Sequence, residues 1–168
     1  MKLLLPLSWA YWFVVTIRAW LYSSGIFTVH RADVAVLCIG NITAGGTGKT
    51  PCVIMLLNML KQQGFKPVVV TRGYGRTSRD TVVVSDGKKI TAVCRDAGDE
   101  ALVIATAVPD VPVIADQCRY RGSRAACESF KPDVIVLDDG FQHFSMHRDL
   151  DIVLVDCGSP WGNGHMLP

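Results

Sequence analysis

Short apolar runs recur along the chain at residues 34–39 (VAVLCI), 67–71 (PVVVT), 111–115 (VPVIA), 133–138 (DVIVLD) and 150–156 (LDIVLVD). They are rich in β-branched residues and too continuous for a sheet with one wet face, so they predict buried strands of a parallel sheet. Between them, residues 51–63, 98–108 and 119–130 carry helical patterns, the first closed by Gly64. Residues 81–85 and 90–93 flank Asp86-Gly87-Lys88-Lys89 and predict a β-hairpin around an Asp-Gly turn. Strands alternating with helices predict an α/β fold with helices on both faces of a mostly parallel sheet. Residues 3–27 are different: apolar and aromatic throughout, they predict a separate N-terminal helix over residues 1–30, leaving 31–168 as one domain.

Chemistry enters at the end of the first strand. Residues 38–50 read Cys-Ile-Gly-Asn-Ile-Thr-Ala-Gly-Gly-Thr-Gly-Lys-Thr and lead into a helix with Pro51 in its first turn. A strand, a glycine-rich turn and a helix carrying Gly48-Lys49-Thr50 form the setting of a phosphate-binding loop. The backbone N–H groups of Thr43, Ala44, Gly45, Gly46, Thr47 and Gly48 would surround phosphate oxygens, helped by the positive end of the helix. Lys49 would reach the β- and γ-phosphates, and the Thr50 hydroxyl would ligate Mg²⁺. The general pattern has Gly where Thr43 stands. The fold class is therefore P-loop NTPase-like, and the expected ligand is a nucleoside triphosphate.

A second signal lies at 133–140, where four apolar β-formers end in Asp138-Asp139-Gly140. Carboxylates at the carboxyl end of a buried parallel strand stand where open α/β sheets bind ligands, and downstream of a P-loop they predict support for Mg²⁺. Arg72-Gly73-Tyr74-Gly75-Arg76 follows another strand and reads equally as a loop near phosphates or as a tight turn with solvated arginines. Asp99 and Glu100 open a helix, where acidic residues ordinarily complement the helix dipole. Arg119, Arg121 and Arg124 read as a solvated helix face unless one turns inward, and His143 alone reads as a structural residue.

Composition adds limits. The chain has 168 residues, 49% of them hydrophobic, and a net charge of +2 that gives no argument for a nucleic-acid partner. The six cysteines form no C-x-x-C pair and read as reduced, small buried residues, without the paired spacing of a zinc site. Lys2, Arg18 and Arg31 are the charged residues before Asp33. Together with Trp9, Tyr11, Trp12, Trp20 and Tyr22, they make residues 3–27 read as a membrane-surface helix; a spanning helix is interrupted at Arg18. A helix packed on the protein's own core or on a hydrophobic partner is the alternative. The chain stops at Leu167-Pro168 in what reads as a loop, which predicts the N-terminal portion of a longer protein.

GNITAGGTGKTP (40–51), TRGYGR (71–76), GDE (98–100), DDGFQH (138–143), RDLDIVLVD (148–156) and GNGHMLP (162–168) together resemble the tetraacyldisaccharide 4′-kinases of Gram-negative bacteria across nearly the whole chain. Small hydroxyl residues at the position of Thr43 are usual in that family. The resemblance implies transfer of the ATP γ-phosphate to the 4′-hydroxyl of an acylated glucosamine disaccharide 1-phosphate, at the cytoplasmic face of the inner membrane, with no obligate protein partner evident. It makes Asp99 the general base, gives Asp138 and Asp139 the Mg²⁺ and its waters with Thr50, and assigns Lys49 to the bridging phosphates. Arg72, Arg76, Arg119 and His143 become candidates for substrate or phosphate contacts. A segment beyond Pro168, carrying an Arg and a Glu near the metal and a His to pair with Asp99, is expected to complete the site, so this span alone is expected to bind nucleotide weakly and turn over little. Two other readings stay open: a membrane-associated P-loop GTPase or metallochaperone-type NTPase, for which no N-K-x-D segment occurs here, and a non-catalytic nucleotide-binding module.

Overall fold

A computed structural model of the chain describes residues 5–42, 48–158 and 160. The elements run α1 (Leu5–Ser23), β1 (Ala35–Asn41), α2 (Lys49–Gln62), β2 (Pro67–Thr71), β3 (Val82–Asp86), α3 (Cys94–Ala97), α4 (Asp99–Ala107), β4 (Pro112–Ala115), α5 (Arg119–Phe130), β5 (Val134–Asp138) and β6 (Leu150–Leu154). The strands form one sheet in the order β3-β4-β2-β5-β1-β6. All neighbours are parallel except the β3–β4 pair. Strand and helix therefore alternate as the apolar runs predict.

The parallel strands are covered on both faces. Ile39, Val69 and Val136 point toward Val53 and Leu57 of α2 and Ala101 and Ile104 of α4. Their sequence neighbours Cys38, Val68, Val70, Ile135 and Leu137 point to the opposite layer, which includes Ala126 of α5. This two-sided burial explains why β2 and β5 are buried at every position and read as unbroken apolar runs.

Several boundaries differ from expectation for physical reasons. The predicted hairpin reduces to its turn: Ile90 makes an isolated bridge to Ser85, while β3 pairs antiparallel with β4. The Asp-Gly turn fixes the local reversal, but β4 offers a more deeply buried apolar partner than residues 90–93. The single turn α3 follows directly on residues 90–93, which form only a bridge where a strand was expected. Residues 150–156 were expected to form a buried strand, yet β6 is an edge strand on which Leu150 and Val153 are about half exposed. All six cysteines are free; Cys38 is buried as expected, with its thiol pushed up to about 12 by burial, whereas Cys94, Cys118 and Cys157 are exposed.

Helix α1 stands largely off the body. Trp9, Tyr11, Trp12, Phe13, Val14 and Trp20 are exposed. Its last turns meet the domain through Phe144, on which the Tyr22 ring stacks with centroids 5.9 Å apart and over which the Arg18 guanidinium sits at 5.6 Å. No helix among the described residues is long and apolar enough to cross a membrane.

Candidate active site at the carboxyl edge of the sheet

Strands β1, β2, β4 and β5 all end at one rim, and each ends in or is followed by a polar residue: Asn41, Thr71, Asp116 and Asp138. Helix α2 starts at this rim. Gly48 is its N-cap, no side chain caps the first turn, and that turn carries no acidic residue. Its leading N–H groups and dipole are thus available to an anion. Thr43, Ala44, Gly45, Gly46 and Thr47, which should form the rest of the phosphate cradle, lie outside the described residues, as do residues 161–168.

Lys49, the first residue of α2, reaches across the rim. Its Nζ donates to Asn41 Oδ1 at 2.9 Å and stands 3.6 Å from Asp139 Oδ1. The lysine is therefore held between the ends of β1 and β5, poised over the crevice. Thr50 follows it in the first turn of α2.

The two aspartates behave differently. Asp138 is 2% exposed and accepts a hydrogen bond from Thr71 Oγ1 at 3.2 Å. Burial, then the charge of Glu100, raise its carboxyl to about 6, against the Thr71 hydrogen bond and the Arg119 charge. Asp139 turns outward: its φ of 55° is left-handed, a conformation Asp tolerates better than most residues, while its N–H donates to Ile39 O at 2.9 Å. Phe141 then folds back over β1 so closely that a Cβ on Gly40 would lie 2.7 Å from its ring. Gly40 thus lets the acidic turn close onto the strand that feeds the phosphate loop.

A buried carboxylate that holds its proton up to about 6 is one whose charge lacks compensation, so a cation beside it is favourable. Among the described residues no group of three or more His, Cys, Asp or Glu side chains could hold a metal by itself. Mg²⁺ keeps several waters and needs one or two carboxylates plus substrate phosphates, a demand that Asp138 and Asp139 with the Thr50 hydroxyl could meet.

Asp99 is the first residue of α4 and is exposed, next to Glu100, whose charge is felt by Asp138. The first turn of α4 therefore borders the same rim. The four weaker candidates separate. Arg119 turns inward: it is 1% exposed and donates to Asp116 O and Asp138 O at 2.8 Å and to Asp139 O at 3.2 Å. Arg76 is also buried, bonding Asp80 O and Ala115 O at 2.8 Å. Both brace the rim from below. Arg72 is exposed beside them, and its charge acts on Arg119 and His143. Burial, helped by Arg119, Arg72 and Arg18, lowers His143 to about 4, so at neutral pH it offers a neutral imidazole and no positive charge.

Reading the motifs missed Asn41 as the Lys49 partner, Thr71 as the Asp138 partner, and Asp116. The last is fully buried and accepts from Thr81 Oγ1, from the Cys118 N–H and from Arg121 Nε. The signal was present: each is a polar residue closing an apolar strand, the pattern that singled out Asp138.

Comparison with known proteins agrees with this geometry. A family model described as tetraacyldisaccharide-1-P 4′-kinase matches residues 1–168. A tetraacyldisaccharide 4′-kinase of Geobacter metallireducens is 44% identical over 169 residues, covering 100% of this chain and 50% of the relative. One from Geobacter sulfurreducens is 45% identical, covering 94% and 45%. The crystal structure of "apo" form LpxK from Aquifex aeolicus in complex with ATP superimposes with a TM-score of 0.88 at 36% identity, covering 99% of this chain and 53% of that one. The chain spans about half the length of the curated relatives it matches. On the family match over its whole length, the chain belongs to the tetraacyldisaccharide-1-P 4′-kinase family.

Proposed function

We propose that this chain forms the nucleotide-binding half of a kinase that transfers the γ-phosphate of ATP to the 4′-hydroxyl of an acylated glucosamine disaccharide 1-phosphate. The observation that carries this is the meeting of Lys49 with Asp139 at the carboxyl ends of β1 and β5. That meeting supports a site in which a cation and the strand-end carboxylates flank a triphosphate entering at the α2 N-terminus. Lys49 stabilises charge that builds on the phosphates, and the uncapped N–H groups of α2 orient them. Asp138 and Asp139, with the Thr50 hydroxyl, would hold Mg²⁺, which when bound neutralises charge on the phosphate oxygens. Asp99 accepts the proton as the sugar hydroxyl attacks phosphorus: an O–P bond forms, the bond to the ADP oxygen breaks, and the proton ends on the carboxylate. Arg72, the exposed arginine of the rim, is the candidate for anionic groups of the acceptor.

The acceptor is a lipid, and the chain works at the cytoplasmic face of the inner membrane of a Gram-negative bacterium. Support comes from α1, where Trp9 is 75% and Trp20 59% exposed. Aromatics of this kind favour the headgroup layer, and a helix interrupted by Arg18 would lie along that surface.

The test is transfer of label from γ-labelled ATP to the disaccharide 1-phosphate in mixed micelles. It would use this chain and a version carrying the C-terminal half of a full-length relative. Labelled lipid in the extended form, lost on Asp99→Ala with nucleotide affinity retained and lost with that affinity on Lys49→Ala, is the expected result. Nucleotide binding without transfer in either form would favour a different P-loop enzyme.

A further inference from the structure

Both ends of the loop that carries Arg72 and Tyr74 are fastened to one buried residue. Asp116 directly follows β4 and is fully buried. We propose that Asp116 is a positioning residue: by clasping the neck of residues 72–80 it sets where Arg72 stands toward the acceptor and steadies the seat of Asp99. This rests on the roles of Arg72 and Asp99 in the proposed function.

The clasp closes from several sides. Where the loop leaves β2, the Asp116 N–H donates to Thr71 O at 2.9 Å. Where it returns ahead of β3, the Thr81 hydroxyl donates to Asp116 Oδ2. From α5, Arg121 Nε and Nη2 donate to the two carboxylate oxygens at 2.8 and 2.9 Å, and the same Nη2 donates to Arg79 O at 2.6 Å. Arg121 is an exposed side chain, and the buried carboxylate is what aims its guanidinium at the returning limb. Beside them Arg76 Nη1 joins Asp80 O to Ala115 O, at 2.8 Å each. The neck of the loop is thus tied to the end of β4 on both limbs.

The loop is in turn what the Asp99 turn sits on. The Thr77 N–H donates to Arg95 O in α3 at 3.0 Å. Gly98, the N-cap of α4, lies so close to the loop that a Cβ there would stand 2.5 Å from Tyr74 O. A shift of the loop therefore carries the first turn of α4 with it, and Asp99 is the first residue of that turn. Arg72 directly follows Thr71 and is exposed, so its place follows from the same neck.

A carboxylate suits this task. Burial works to raise its pKa, but the Arg121 hydrogen bonds, the Thr81 hydroxyl and the Cys118 N–H outweigh it and hold the group below the usual range. It is ionised at neutral pH, and its two oxygens accept from a strand, a loop and a helix together. An amide would turn an NH₂ group toward Arg121 or Thr81 and open one side of the clasp.

Two measurements test this. In the 168-residue chain, hydrogen-exchange mass spectrometry of Asp116→Asn should show residues 72–80 exchanging at least about tenfold faster, with residues 35–41 and 134–138 unchanged. Unchanged exchange in 72–80, or equal acceleration in the strands, would overturn the clasp. In the extended form, Asp116→Asn should raise KM for the lipid and lower kcat, each about five- to tenfold, with KM for ATP unchanged. A purely structural role would reduce the active fraction and leave both KM values alone, so an unchanged lipid KM would overturn the positioning role. Arg121→Met, a change on an exposed helix face, should show the same split at about two- to fivefold, and it reads the clasp if Asp116→Asn does not fold. In an Asp116→Asn background Arg121→Met should add nothing, and an added loss would show that the two act separately and overturn the clasp. A wild-type extended chain without transfer activity would instead overturn the proposed function, and the exchange result would still read the clasp itself.

Discussion

Removing the Arg119 guanidinium should cost more than any other single change at the rim. Arg119 begins α5, is 1% exposed, and ties together the carbonyls of Asp116, Asp138 and Asp139. Those carbonyls close β4 and form the acidic turn after β5, so one side chain sets the spacing of two strand ends. Burial lowers its pKa to about 10, which leaves it charged at neutral pH. In Arg119→Met the three acceptors lose their donor, at about 1–3 kcal/mol for each one left buried and unpaired. Against that, a charge no longer has to be desolvated, and Arg119 Nε, already buried without a partner, is removed. The expected net loss is about 3–5 kcal/mol, read as a fall in Tm of about 6–20 °C for a domain of this size. Arg119→Lys should fall between, since an ammonium cannot fork across two strand ends. Urea unfolding followed by far-UV circular dichroism at pH 7 measures both. A loss below about 1 kcal/mol in Arg119→Met with an unchanged slope would refute the strut, because the carbonyls would then have other partners.

Three further outcomes follow from the same geometry. Because Asp138 is raised from 3.8 to about 6, the folded chain holds a proton that the unfolded chain has lost between those values, so its contribution to stability is present below pH 3.8 and lost as pH rises through 6. That rise corresponds to about 3 kcal/mol; Asp138→Asn should flatten the pH 4–6 slope, and millimolar Mg²⁺ should raise Tm at pH 7.5 in the wild type but not in Asp138→Asn. Gly98→Ala should destabilise by more than about 2 kcal/mol in urea melts, since φ is +83° and the new Cβ would meet a main-chain carbonyl at 2.5 Å; a cost below about 0.5 kcal/mol would show that the turn relaxes. Replacing Trp9, Trp12 and Trp20 with Ser should reduce partitioning into anionic vesicles about tenfold or more in a flotation assay, with Tm unchanged.

How far the sequence carried depended on whether a signal was local. The phosphate-loop helix, β2, α5 and β5 fell where their patterns put them, because an apolar run between turn residues fixes a strand and a Gly-Lys-Thr fixes a helix start. The hairpin at 81–93 failed because strand partners are chosen by the whole sheet: β3 found β4 across some 30 residues of chain and left Ile90 a single bridge. Within the site, Lys49, Asp138 and Asp139 were legible as a motif. The roles of the arginines were not. Arg72, Arg76 and Arg119 look alike in sequence, yet two are buried on main-chain carbonyls and one is exposed, a division set by which helix and loop pack above each.

The division of labour among those arginines also explains how a site built from strand ends can be rigid. A parallel sheet leaves its last carbonyls unpaired at the rim, and buried carbonyls need donors. Arg119 supplies three of them between β4 and β5, and Arg76 one at the end of β4, where Asp116 N–H also closes onto Thr71 O at 2.9 Å. The charged groups beneath the rim are thereby spent on main chain, and those above it are left to chemistry. Lys49 is held by a neutral amide from Asn41 and stands at 3.6 Å from Asp139, near enough to be positioned but short of a tight ion pair. Weak tethering of that kind is what a phosphate-binding lysine requires, because it must exchange its carboxylate for phosphate oxygens when the nucleotide arrives. A lysine locked to a buried carboxylate could not do so. The buried carboxylate stands at Asp138 and the looser contact with Lys49 at Asp139, one step further along the turn.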